Sequence, residues 1–132
     1  MNSQQHIAIL GSGNIGLSLA KGLVKAGICK PQQISLTRRN VGALAAYAEL
    51  GYHATDNNLK AVRKADYVVL AVLPQQLNKL LDEIRPSIRP EKQLLISVVS
   101  GVSCADIRQQ LDLNVQIIRA MPNTAIAIGQ SM

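Results

Sequence analysis

The sequence has no tryptophan, no phenylalanine and only three tyrosines, Tyr47, Tyr52 and Tyr67. Any core must therefore be aliphatic, and a hydrophobic content of 48% over 132 residues is enough to build one domain around it. Cysteine is nearly absent. Cys29 and Cys104 form no CxxC pair, which excludes a disulfide scaffold and reads as two reduced structural thiols. No apolar run approaches the roughly 20 residues that span a bilayer. Met1 to His6 is polar and lacks the basic-then-apolar order of a signal peptide. The expectation is a cytoplasmic protein with no membrane partner. Acidic residues are scarce, eight against fourteen basic, giving a net charge of +6. The basic residues are scattered, no run exceeds two, and there are few aromatics for base stacking, so a nucleic-acid partner is not expected. Metal chemistry is equally unsupported. His6, expected at a strand edge, and His53, expected in a loop, lie far apart in no ligand spacing. Asp82 and Glu83 are adjacent and so do not face each other on a helix, and no GxSxG nucleophile motif is present.

What is present is an alternation of short apolar runs with helical periodicity. Ile7–Leu10 reads as a buried strand, and 14–26 has apolar residues at helical spacing ending on Gly27. Further strands are expected at 34–37, 52–55 (near an edge), 67–73, 94–99 and 115–121, with another short extended piece at 124–128. Helices are expected at 41–50, from a cap at Asp56 to Lys64, at 75–84, and from a Ser103–Asp106 capping box to Leu111. Strands alternating with helices demand crossover connections. The fold class is therefore α/β, a Rossmann-type doubly wound, mainly parallel sheet with helices on both faces. The chain ends at Gln130–Met132 without a capping helix, and reads as a dinucleotide-binding domain, 1–132, cut from something longer.

Gly11-Ser12-Gly13-Asn14-Ile15-Gly16 fits GxGxxG, directly after a strand and directly before a helix. Gly11 permits the tight turn, Gly13 lets backbone approach a pyrophosphate, and Gly16 lets helix pack close on strand. The helix start offers unpaired N–H groups and partial positive charge. About 20 residues on, an NAD enzyme usually places an acid for the ribose hydroxyls. Here the chain runs Thr37-Arg38-Arg39-Asn40, with no acid until Glu49. Two guanidinium groups suit a 2′-phosphate, which favours NADP over NAD. A basic turn without a ligand is the alternative. The strand ends Ala71-Val72-Leu73-Pro74 and Val98-Val99-Ser100 would lie across the carboxyl edge, where such sheets hold ligands, although turn chemistry alone explains any one of these residues equally well.

In this order, GxGNxG, a basic turn after the second strand, Ala-Val-x-Pro-Gln, Ser-Gly-Val and Arg119-Ala-Met-Pro-Asn-Thr124, the chain resembles pyrroline-5-carboxylate reductase, in its cofactor-binding half only. The resemblance implies NADP-dependent reduction of a cyclic imine, 1-pyrroline-5-carboxylate, to proline. It implies that Leu10 to Ile15 line the pyrophosphate and that Arg38 and Arg39 meet the 2′-phosphate. Asn58 would touch the adenosine ribose region. Ala71 to Pro74 and Val98 to Ser100 would flank the nicotinamide, and Met121, Pro122, Asn123 and Thr124 would form the floor under the imine. It also implies a helical C-terminal domain, absent here, through which the parent forms a homo-oligomer and completes the substrate site. No catalytic acid or base is identified. The chain departs from the family at Leu73, where Lys is usual, and at Ala125, where Pro is usual. These departures leave open a related imine, hydroxyacid or deazaflavin-linked oxidoreductase, or a non-catalytic nucleotide-binding paralogue.

Overall fold

The computed structural model describes residues 1–120. Six strands, β1 (Ile7–Leu10), β2 (Ile34–Thr37), β3 (His53–Thr55), β4 (Tyr67–Leu70), β5 (Leu94–Ser97) and β6 (Gln116–Arg119), form one sheet in the order β3-β2-β1-β4-β5-β6. Every pairing is parallel. The connections are α1 (Asn14–Lys25), α2 (Ala45–Glu49), α3 (Asn58–Lys64), α4 (Pro74–Ile84) and α5 (Cys104–Leu111). This is the doubly wound Rossmann order, and it switches direction between β1 and β4.

The central strands β1 and β4 are apolar along their length because both faces of the sheet are covered there. Ile9, Ile34, Leu36 and Val69 face a core that includes Ala20 of α1, with Leu44 before α2. Ala8, Leu10, Val68, Leu70 and Leu95 face the opposite core with Leu77, Leu81 and Ile107 of α4 and α5. A parallel sheet buried in this way needs continuous aliphatic runs rather than alternation. Tyr52 meets Tyr47 edge-on at 5.9 Å, and the Lys21 ammonium sits 5.4 Å from the Tyr47 ring centre. No helix among the described residues is long and apolar enough to cross a membrane.

The elements follow the sequence expectations, with corrections at their ends. β4 stops at Leu70, three residues earlier than expected, because Ala71 to Leu73 lead into α4, whose first residue is Pro74. β5 and β6 are likewise shorter, ending at Ser97 and Arg119. The segment expected as one helix at 41–50 opens as a 3₁₀ turn, Val41–Leu44, and only then becomes α2. A β-branched residue and a glycine at its start are poor helix formers. The cap of α3 is Asn57, whose Oδ1 accepts from the Lys60 N–H at 3.0 Å, not Asp56. His53 is the first residue of β3 rather than a loop residue. Ser103 caps α5 as expected, its Oγ accepting from the Asp106 N–H at 3.0 Å. The extended piece expected at 124–128 lies outside the described residues.

Candidate functional site

The carboxyl ends of the parallel strands lie on one edge, and there the backbone ladder runs past the strands. The Ser12 N–H donates to Thr37 O at 2.7 Å, Ala71 to Leu10 O at 3.0 Å, and Val98 to Leu70 O at 3.1 Å. The turn after β1, the turn after β2 and the exits of β4 and β5 are therefore held side by side around the switch point, where open α/β sheets leave a crevice.

Gly11 stands at φ +80°, and a Cβ there would collide with the Val72 Cγ1 methyl. Glycine is required at this position twice over, by conformation and by the approach of the β4 exit. Gly16 is buried in α1. A Cβ there would come 3.1 Å from Ile9 Cγ2 and 3.2 Å from Gly11 O, so its bareness seats the helix against β1. Gly13 differs from both. Its φ is −84°, which any residue adopts, and among the described residues nothing beyond its own chain neighbours lies within 4 Å of where its Cβ would be. Neither fold nor backbone requires glycine here, and the space beside it is open.

Gly13 leads into α1. The cap has no side-chain hydrogen bond and the first turn carries no acid. The Gly13 N–H is taken by Gly11 O at 2.8 Å, and the Gly13 carbonyl accepts from Leu17 at 2.9 Å. The amides of Asn14, Ile15 and Gly16 are left at the positive end of a twelve-residue helix with no acceptor among the described residues. Such an arrangement accepts a phosphate. Ser12 does not: its side chain is fully buried and donates to Ile9 O at 3.1 Å. Leu10 and Gly16 are buried too, so of the predicted Leu10–Gly16 stretch the exposed part is Asn14 and Ile15, with Gly11 and Gly13 half-buried.

Arg38 and Arg39 follow β2 directly. Both are exposed, and no carboxylate of the described residues pairs with them. The Arg38 backbone N–H donates to Thr55 O at 3.2 Å, which anchors the basic turn against β3. Asn58 opens α3, and its Nδ2 donates to the Glu83 carboxylate at 3.3 Å. Its Oδ1 is buried without a partner among the described residues.

At the β4 exit, Ala71 and Val72 are half-buried and Leu73 and Pro74 exposed. The Leu73 N–H donates to the Gln76 side chain at 3.1 Å. Leu73 at 56% and Ile15 at 45% exposure are large apolar side chains left uncovered at the starts of α4 and α1. After β5, Val98 and Val99 are buried, one in each core, and Ser100 is exposed. The valines therefore offer backbone rather than side chains to this edge. Met121, Pro122, Asn123 and Thr124 lie outside the described residues. A cavity of about 350 Å³ walled by Asp66, Glu91 and Lys92 is elsewhere, at the amino ends of β4 and β5.

The sequence reading missed Thr37. It is buried, its Oγ1 accepts from the Gly11 N–H at 3.2 Å and its carbonyl accepts from Ser12. Only its place at the end of a strand beside the glycine turn could have drawn notice.

A protein-family model described as NADP oxidoreductase coenzyme F420-dependent matches residues 6–101. Pyrroline-5-carboxylate reductase 1 of Dictyostelium discoideum is 48% identical over 126 residues, which cover 96% of this chain and 23% of that protein. Pyrroline-5-carboxylate reductase 2 of the same organism is 41% identical over 135 residues, covering 100% of this chain and 45% of that protein. Among solved structures, a pyrroline-5-carboxylate reductase from Coxiella burnetii superposes with a TM-score of 0.82 at 32% identity, over 89% of this chain and 44% of that one. The chain thus spans less than half the length of these relatives. The glycine turn, the free helix start and the basic turn all fall within the matched residues, and the chain belongs to the family of NADP oxidoreductases, coenzyme F420-dependent, within which it resembles the pyrroline-5-carboxylate reductases.

Proposed function

We propose that this chain is the cofactor-binding part of an NADP-dependent pyrroline-5-carboxylate reductase, reducing the cyclic imine to L-proline. The observation that carries this reading is the open space at Gly13 beside α1 amides that have no acceptor among the described residues, with two guanidinium groups, unpaired among those residues, one strand away. A bound NADPH supplies the hydride for the C=N carbon. Gly13 with the Asn14 and Ile15 amides holds its pyrophosphate, and Gly11 and Gly16 shape the turn that presents them. Arg38 and Arg39 hold the 2′-phosphate. The absence of any acid between Thr37 and Glu49 favours NADP over NAD. Ile15 and Leu73 offer apolar surface to the nicotinamide half, with Ala71, Val72, Pro74 and the backbone at Val98 to Ser100 beside it. By the resemblance, Met121 to Thr124 would complete the floor. The imine arrives protonated, so this part needs no acid or base of its own and accelerates by positioning.

A helical domain beyond this chain would form the homo-oligomer and complete the imine site, and the protein would work in the cytoplasm. The exposed Leu73, where the resemblance leads one to expect a cation, favours a shifted imine preference as the second reading. NADPH consumption with the cyclic imine tests the proposal. The 132-residue chain binds NADPH and turns over little, while the full-length protein reduces the imine. Rapid turnover by the chain alone, or a full-length protein that reduces no cyclic imine, would overturn it.

A further inference from the structure

Thr37 has been given no contact with the cofactor itself, yet it joins the two turns assigned to it. Its Oγ1 and its carbonyl accept the N–H groups of Gly11 and Ser12, at 3.2 and 2.7 Å, across 26 positions of sequence in the first case. The next residue is Arg38. One buried side chain thus ties the turn that opens α1 to the turn that carries the guanidinium groups. Register places Thr37 opposite Leu10, the last residue before the glycine turn, so the two turns leave the sheet at the same level. The Gly11 bond matters most. Gly11 lies against the β4 exit, where a side chain would collide with Val72, and its N–H has Thr37 Oγ1 as its partner. Without that oxygen a partly buried donor is left unmade, and the turn relaxes to find another acceptor.

Resting on the NADP reading above, we propose that Thr37 is a positioning residue. It fixes the distance between the amide niche and the basic turn, so that one dinucleotide meets both ends at once. A ligand that uses only one end does not need the fixed distance. Thr37→Val keeps shape and removes the oxygen, whereas Thr37→Ser keeps the oxygen.

Titrations of the chain with NADPH and with 2′-AMP, which has the 2′-phosphate but no pyrophosphate, separate the possibilities. Thr37→Val weakens NADPH about five- to tenfold, the size of one lost hydrogen bond with its donor unpaired, and leaves 2′-AMP within about twofold. Thr37→Ser binds NADPH as the parent sequence does. Thr37→Ala follows Thr37→Val and takes its place if the valine variant does not fold. Unchanged NADPH binding by the oxygen-free variants would overturn the proposal. So would an equal loss of 2′-AMP, which marks general damage, or a Thr37→Ser as impaired as Thr37→Val. A parent chain that binds no NADPH overturns the cofactor reading itself, a result separate from any difference between variants.

Discussion

Three glycines in one hexapeptide do three different jobs, and substitution separates them. At Gly13 the backbone is ordinary and, among the described residues, nothing fills the space beside it. Gly13→Val should abolish NADPH binding while shifting stability by no more than about 0.5 kcal/mol, as surface changes do. NADPH titration alongside thermal unfolding checks both halves. At Gly11 the positive φ and the Val72 methyl act together. Gly11→Ala should cost about 1–3 kcal/mol of folding stability whether or not ligand is present, measured by urea unfolding. The arginines separate by ligand rather than by stability. Arg38→Ala with Arg39→Ala should weaken NADPH by about 2–4 kcal/mol, two charge-assisted contacts, and NADH far less. Equal weakening of the two cofactors would contradict the 2′-phosphate assignment.

Elements owe their ends to local chemistry and their places to burial. Asn57 and Ser103 each accept one orphan amide at a helix start. Replacing either by alanine should cost about 1 kcal/mol in denaturant unfolding. The cap of α3 also shows how local signals mislead. Asp56 and Asn57 are both good capping residues, and the sequence has nothing to rank them. The decision falls to the geometry at the end of β3, where Thr55 Oγ1 takes the Asn57 N–H at 3.1 Å. The strand ends carry the same lesson. Ala71 and Val72 are as apolar as β4 itself, yet the chain must bend there to start α4 at Pro74.

For the molecule as a whole, the two-sided core leaves Cys29 and Tyr52 buried together on one side of the sheet. Burial raises the Cys29 thiol from its ordinary 9.0, opposed to a smaller degree by the N-terminal charge. Burial also raises Tyr52 from 10.0, with smaller contributions from Cys29 and Tyr47. Both groups stay protonated longer in the folded chain than in the unfolded one. Their stabilising contribution is complete below pH 9 and is lost as the pH climbs through the raised values. Unfolding free energy should therefore fall above pH 9, and a Cys29→Ala, Tyr52→Phe variant should show a flatter decline. A thiol reagent at neutral pH should modify half-buried Cys104 well before Cys29.

Fold class and the open glycine turn at the start of α1 were legible from the amino-acid order, because both rest on short-range patterns. Aliphatic runs four residues long, helical spacing between them and GxGxxG at a strand–helix junction each carry their meaning within a dozen positions. The basic turn after β2 was legible for the same reason. Contacts between distant segments were not. Thr37 meets Gly11, and Val72 closes on Gly11, only because β1 lies between β2 and β4 in a given register. Burial likewise removed the side chains of Ser12, Val98 and Val99 from the crevice, although their positions in sequence put them beside it. Spacing tells which residues stand near an edge, whereas the packing of both faces decides which of them still point outward.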